Sequence, residues 1–189
     1  MLERTRTEQV ILVDEEDHER GTMEKMAAHQ AGELHRAFSV FIYDREGRLL
    51  LQKRASGKYH SGRLWSNTCC GHPRPGEDTR SAAERRLLEE MGLVCKVEVG
   101  FQLLYWAVLD HGLFEHELDH VFIGFSDAIP VPDEDEVEAW RYLDHGSVEM
   151  ELQASPKHFT AWFPLCFRRA REFAFVRNTG GPRAGTPGR

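Results

Sequence analysis

Between Trp65 and Leu93 the chain places Cys69, Cys70, His72, Glu77, Arg85, Arg86, Glu89 and Glu90. A thiol, an imidazole, carboxylates and guanidinium groups so close together can move protons, hold a divalent cation and grip an anion. Their spacing is regular. Gly71 is followed after five residues by Glu77, and after seven more by Arg85 and Arg86, then Glu89, Glu90 and Gly92. On a helix, positions 86, 89 and 90 share one face. Carboxylates on that face would make an oxygen cage for Mg²⁺, the cation that diphosphates carry with them. Arg86 puts a positive fork into the cage, a group suited to a phosphate oxygen rather than to a metal. Taken alone, Glu89 and Glu90 read better as a solvated face paired with Arg85 and Arg86. The flanking glycines and Glu77 favour the chemical reading.

Cys70, followed by Gly71 and His72, is the stronger candidate for a reactive thiol, and Cys69 the weaker. Cys95 and Cys166 lie in apolar contexts and read as core. Adjacent residues have Cα atoms about 3.8 Å apart, too close for an unstrained Cys69–Cys70 disulfide. No CxxC pair occurs, which argues against a cysteine zinc site and for reduced thiols in the cytoplasm. His29, His35 and His72, with Glu115 and Glu117 alternating onto one strand face, form a donor set suited to Mn²⁺ or Zn²⁺. Spacing alone does not bring these segments together. His18, His60, His111, His145 and His158 read as surface residues. Tyr105 and Trp162 read on pattern alone as packed aromatics.

Residues 71–93 resemble the Nudix box, whose pattern is Gly, five residues, Glu, seven, Arg-Glu-apolar, one, Glu-Glu, one, Gly-apolar. Arg86 stands where that pattern has its second glutamate. Lys25 with the run ending at His29, LHRAFS at 34–39, KRA at 53–55, WSNTCCGHP at 65–73 and the Glu115/Glu117 pair are similar to one Nudix branch, the type I isopentenyl-diphosphate Δ-isomerases. The likeness spans roughly residues 9–173. It implies an α/β fold, the α/β/α Nudix sandwich with a mixed sheet. It implies His29, His35, His72, Glu115 and Glu117 as ligands of one Mn²⁺ or Zn²⁺, and Cys70 as a catalytic thiol with Glu117 and Tyr105 opposite. Glu90 would help hold Mg²⁺ on the substrate diphosphate. Lys25, Arg54, Lys58 and Arg86 would pair its oxygens, and Trp162 would face the carbon skeleton.

The implied reaction interconverts isopentenyl and dimethylallyl diphosphate. Protonating an alkene gives a tertiary cation, which water would trap unless excluded. An acid and a base on either side of a flat hydrocarbon suffice, so no flavin or nicotinamide is implied. An indole face could stabilise the cation by about 2 kcal/mol when desolvated. A Nudix phosphohydrolase would instead want the full carboxylate box, which Arg86 breaks. A non-catalytic binding domain would not need Cys70 and Glu117 together.

These side chains need a frame. The 189 residues are one domain's worth of chain. Patterning predicts strands at 9–13, 37–43 and 48–52, the last two a hairpin, and at 94–109, 114–125 and 139–143. It predicts a helical turn at 23–31 and a loop at 14–21. Further helices are expected at 79–91, with Thr79 as N-cap and Gly92 just past the end, and at 159–173. A single domain of 1–176 with a flexible tail at 177–189, apolar only at Ala184, follows. The formal charge of −7, from 24 Lys plus Arg against 31 Asp plus Glu, disfavours a nucleic-acid partner. It leaves room for a local basic pocket holding a small diphosphate. The longest apolar run, 103–109, falls far short of the ~20 residues of a membrane span. The first residues lack a signal-like apolar stretch, so a cytoplasmic location without membrane partners is expected.

Overall fold

The computed structural model describes residues 8–178, with side chains to 174. Nine strands form one mixed sheet: β1 (Gln9–Val13), β2 (Glu19–Glu24), β3 (His35–Tyr43), β4 (Leu49–Arg54), β5 (Trp65–Ser66), β6 (Cys69–Gly71), β7 (Val97–Val108), β8 (Phe114–Phe125) and β9 (Val137–Leu143). β3 is the hub. It runs parallel to β8 along its whole length, from His35↔Glu117 to Tyr43↔Phe125. It also pairs antiparallel with β1, β6 and β4 in turn. β7 and β8 form a long antiparallel hairpin.

Period-two alternation sends the side chains of β3 to two cores. Phe38, Val40 and Ile42 pack with Leu87 and Met91 of α2 (Thr79–Met91). Phe41 and Tyr43 pack on the opposite face with Val148 of α3 (His145–Ala154) and with Phe163 and Phe167 of α4 (Phe163–Asn178). The result is the expected α/β/α sandwich. A short helix, α1 (Lys25–Ala31), sits at the end of the sheet with Ala28 and His29 buried.

Several boundaries differ from the sequence expectation. The cap of α2 is Asp78, whose carboxylate accepts from Ser81 N at 2.9 Å; Thr79 is the first helical residue. Gly92 ends the helix as expected, at φ 64. A Cβ there would lie 2.4 Å from the Val131 carbonyl oxygen, so the position requires glycine. Met23 and Glu24 belong to β2, and α1 starts at Lys25, where Glu24 accepts from Ala27 N. The loop expected at 14–21 is shorter, because β2 begins at Glu19. Phe159 bridges to Trp65, so α4 starts only at Phe163. The pattern does not predict α3; its one local signal is the Asp144 cap on Ser147 N. α4 runs to Asn178, two residues into the stretch expected to be a tail; residues 179–189 lie outside the described residues. Among the described residues no helix is long and apolar enough to cross a membrane.

Candidate active site

The sheet face that packs under α4 turns polar toward the start of β3. On β8 the apolar Val121 and Ile123 give way, on the same alternation, to Asp119, Glu117 and Glu115. His35 stands beside Glu117 on one side, and Tyr105 of β7 stands beside it on the other. Cys70 pairs with Ser39 of β3 and so shares this face. Cys69 pairs with Val40 and points into the α2 core instead, fully buried. Register alone thus separates two adjacent thiols.

His29 from α1, and His35, His72 and Glu117, bring donor atoms within 4.8 Å of one another. His72 Nε2 lies 3.0 Å and His35 Nε2 3.6 Å from Glu117 Oε1, and the Tyr105 hydroxyl donates to Glu117 Oε2. His29 Nε2 lies 3.2 Å from Glu115 Oε2. His29 and His35 each place Nδ1 2.7 Å from a backbone carbonyl, of Lys25 and Glu33 respectively. Donating there puts the ring proton on Nδ1 and leaves Nε2 bare toward the carboxylates. His29 Nε2, His35 Nε2 and Glu115 Oε2 are buried without a hydrogen-bond partner. Lone pairs so arranged fit a divalent cation, and the chemistry of the set matches a transition ion. Burial, with His72 and His35 nearby, lowers the His29 pKa to about 4, so its ring is neutral and can act as a ligand at neutral pH. Burial, reinforced by the neighbouring Glu117, raises the pKa of Glu115.

A cleft of about 540 Å³, counted out to open solvent, lies over this centre. Cys70, Glu115, Glu117, His72 and Trp162 line it. Tyr105 is buried behind Glu117 and reaches the cleft only through that carboxylate. Burial pushes the Cys70 thiol up to about 12, against the opposing Arg54, so it holds its proton at neutral pH. Trp162 sits one residue before α4, its Nε1 donating to Asn67 Oδ1 at 3.1 Å. The Arg54 guanidinium lies 5.5 Å from the centre of its ring.

Lys25, Arg54, Lys58 and Arg86 all line the same cleft. Three of them are paired with carboxylates. Lys25 meets Glu8 at 2.9 Å. Arg86 donates to Glu90 at 2.5 Å and to Glu136 at 3.1 Å, and Lys58 also pairs with Glu136. Glu90 is buried and accepts from Gln52 Nε2 at 3.1 Å. Glu77 is turned away from the cleft into a two-pronged pair with Arg85, at 2.7 and 2.8 Å.

The structure corrects three residues assigned from sequence and adds one. His60 is buried rather than superficial, its Nε2 3.3 Å from Glu115 Oε1. No local pattern marks it, because it lies in a turn between two short strands. His145 is half-buried and stacks between Tyr43 and Phe167. Cys95 is half-buried, not core. The addition is Asp119, a buried carboxyl that accepts from Cys166 Sγ at 3.4 Å and is raised by burial and by Glu117 to about 7. Its parity with Glu115 and Glu117 is visible in the sequence.

Comparison with known proteins points one way. Residues 33–163 match the NUDIX domain. The chain is 52% identical to "Isopentenyl-diphosphate Delta-isomerase 1" of Aromatoleum aromaticum, over 86% of this chain and 92% of that protein. It is 51% identical to "Isopentenyl-diphosphate Delta-isomerase" of Pectobacterium atrosepticum, over 87% and 92%. Its fold is similar to the crystal structure of DR0079 from Deinococcus radiodurans, with a TM-score of 0.73 at 17% identity, over 86% of this chain and 99% of that one.

Proposed function

Since the chain belongs to the Nudix family and, within it, to the isopentenyl-diphosphate Delta-isomerases, we propose a division of labour along its cleft. The protein interconverts isopentenyl diphosphate and dimethylallyl diphosphate, and its substrate is a small diphosphate. In our reading Cys70 and the Glu117–Tyr105 pair lie on either side of the bound alkene. One gives a proton to the terminal carbon and the other removes a proton from the carbon next to the oxygen-bearing one; the roles exchange in the reverse direction. The observation that supports this is the approach of Cys70 and Glu117 to one cleft from separate strands, β6 and β8. Trp162 offers its ring to the cationic carbon between the two transfers.

His29, His35, His72, Glu115 and Glu117 would hold one Mn²⁺ or Zn²⁺. When bound, such an ion supplies a fixed charge that orients Glu117 and sets its proton affinity. Lys25, Arg54, Lys58 and Arg86 bind the diphosphate, with Glu90 assisting its Mg²⁺. Binding energy from that remote group holds the five-carbon tail in place. We assign the described residues, to the end of α4 at Asn178, to this one domain. We place the protein in the cytoplasm, because Cys70 must stay a reduced thiol, and we assign it no nucleic-acid or membrane partner.

The test is incubation of the purified protein with isopentenyl diphosphate and Mg²⁺. Dimethylallyl diphosphate should form without free phosphate, and chelation should stop it. Hydrolysis of nucleoside diphosphate derivatives at ordinary enzyme rates, about 1–10³ per second, would replace this reading with that of a phosphohydrolase.

A further inference from the structure

His60 stands outside the five residues read as metal ligands, yet it is buried against one of them. We propose that His60 is a positioning residue for Glu115: it holds one carboxylate oxygen and leaves the other for the metal. This inference rests on the five-ligand reading above.

The two oxygens of Glu115 face different histidines. Oε2 lies 3.2 Å from His29 Nε2 and has no hydrogen-bond partner; Oε1 lies 3.3 Å from His60 Nε2. The protons on the two rings are arranged in opposite ways. His29 uses Nδ1–H on the Lys25 carbonyl, which leaves a bare Nε2 suited to a cation. His60 Nδ1 instead faces the Ser61 hydroxyl at 3.1 Å. A hydroxyl can donate, so Nδ1 can be the acceptor and Nε2 can carry the proton. That tautomer gives Nε2 a proton for the Glu115 oxygen 3.3 Å away. An imidazole protonated at Nε2 is a hydrogen-bond donor and not a metal ligand through that atom.

The donor is also held in place. Arg54 Nη2 donates to the His60 carbonyl at 3.3 Å. Ser61 N donates to the Asp110 carboxylate at 3.2 Å, and Ser61 occupies φ 52, in the left-handed region. The His60 ring meets Tyr59 edge-on at 4.3 Å and Trp162 edge-on at 5.9 Å. His60 therefore links the metal centre to the wall that faces the hydrocarbon. Partners of this kind, one step out from a metal, typically alter its affinity by about 10–100-fold.

The experiment uses the Co²⁺-loaded protein with three variants: His60→Phe, which keeps a ring without a donor; His60→Gln, which keeps a donor; and His72→Ala. The readings are Co²⁺ affinity by chelator competition, the visible spectrum, and kcat and KM for isopentenyl diphosphate. His60→Phe should bind Co²⁺ about tenfold more weakly and lose kcat with KM little changed, because the diphosphate end is untouched. Its spectrum should keep the wild-type ligand set, and His60→Gln should recover most of both losses. If His60→Phe does not fold, His60→Asn, too short to reach Glu115, replaces it with the same expectation. Wild-type Co²⁺ affinity in the Phe or Asn variant would overturn the inference, leaving His60 as packing. A spectrum showing one nitrogen ligand fewer would also overturn it, by making His60 a ligand. A His72→Ala protein with wild-type Co²⁺ affinity would overturn the five-ligand reading itself, whatever the His60 variants do.

Discussion

At one end of the cleft His29, His35 and His72 gather round Glu117, with His29 also beside Glu115, and backbone carbonyls fix the His29 and His35 rings. At the other end four cations reach in on long side chains, and three of them are already paired with Glu8, Glu90 or Glu136. The first end is organised before anything binds. The His29 and His35 rings are held by main-chain hydrogen bonds that a ligand does not replace. On the proposed reading the second end exchanges partners, a diphosphate taking Lys58 and Arg86 from Glu90 and Glu136. On that reading rigid geometry lies where protons move, and exchangeable pairing where binding energy is gathered.

The contrast predicts unequal responses to substitution. The largest should come from the rigid end. Cys70→Ala and Glu117→Gln should each lower kcat by at least about 10²-fold, a typical acid–base contribution, while both proteins fold. Metal content must be measured for the second, since Glu117 is also a proposed ligand. Cys69→Ala should leave turnover near wild type, because its thiol points into the α2 core. An inactive Cys69→Ala beside an active Cys70→Ala would reverse the facing assigned to β6.

Next in size is Arg86→Gln. It should lower kcat/KM for isopentenyl diphosphate by about 10–100-fold, the loss of one charge-assisted contact. The effect should appear in KM more than in kcat; a pure kcat effect would move Arg86 to the rigid end. A smaller change of opposite sign is expected from Glu136→Gln. Removing the carboxylate that holds Lys58 and Arg86 should lower KM by about threefold, as for a partly exposed charge pair. A raised KM would show that Glu136 orders these cations rather than competing for them.

The smallest effect concerns Glu77, which serves the box without facing the cleft. Its hydrogen bonds from Arg85 hold its pKa below the ordinary range. The pair therefore contributes stability above the unfolded carboxyl pKa, about 4.3, and loses it as pH falls through the depressed folded value. Glu77→Gln should cost on the order of 1 kcal/mol at pH 7, discounted for partial exposure, and less at about pH 3, below the unfolded carboxyl pKa. Urea midpoints at the two pH values measure this. An equal loss at both would assign the effect to shape and not to charge.

Much of this arrangement can be read from the sequence, for identifiable reasons. On β8, parity alone places Glu115 and Glu117 on one face. α2 is bracketed by a cap and a glycine, and the box spacing puts Arg86 beside Glu90. His60 cannot be read this way. Its neighbours Gly57, Ser61 and Gly62 signal an exposed turn, and its burial comes from contacts with Glu115 and Trp162, far along the chain. α3 escapes the pattern because only Val148 is fully buried and no apolar stripe marks it. Phe159 falls into the helical pattern by spacing, yet it forms a strand-like bridge to Trp65.

The centre draws on elements of very different permanence. His35 and Glu117 lie on the β3–β8 pair, which is registered along nine residues and covered on both faces. His29 lies on α1, a helix of seven residues at the end of the sheet. A helix that short has little stability of its own and depends on its docking. In native-state hydrogen exchange the amides of β3 and β8 should exchange only on global opening, and those of α1 through smaller, more frequent fluctuations. On warming, the protein should therefore lose His29 from the centre while the sheet is still intact, and inactivation should precede unfolding.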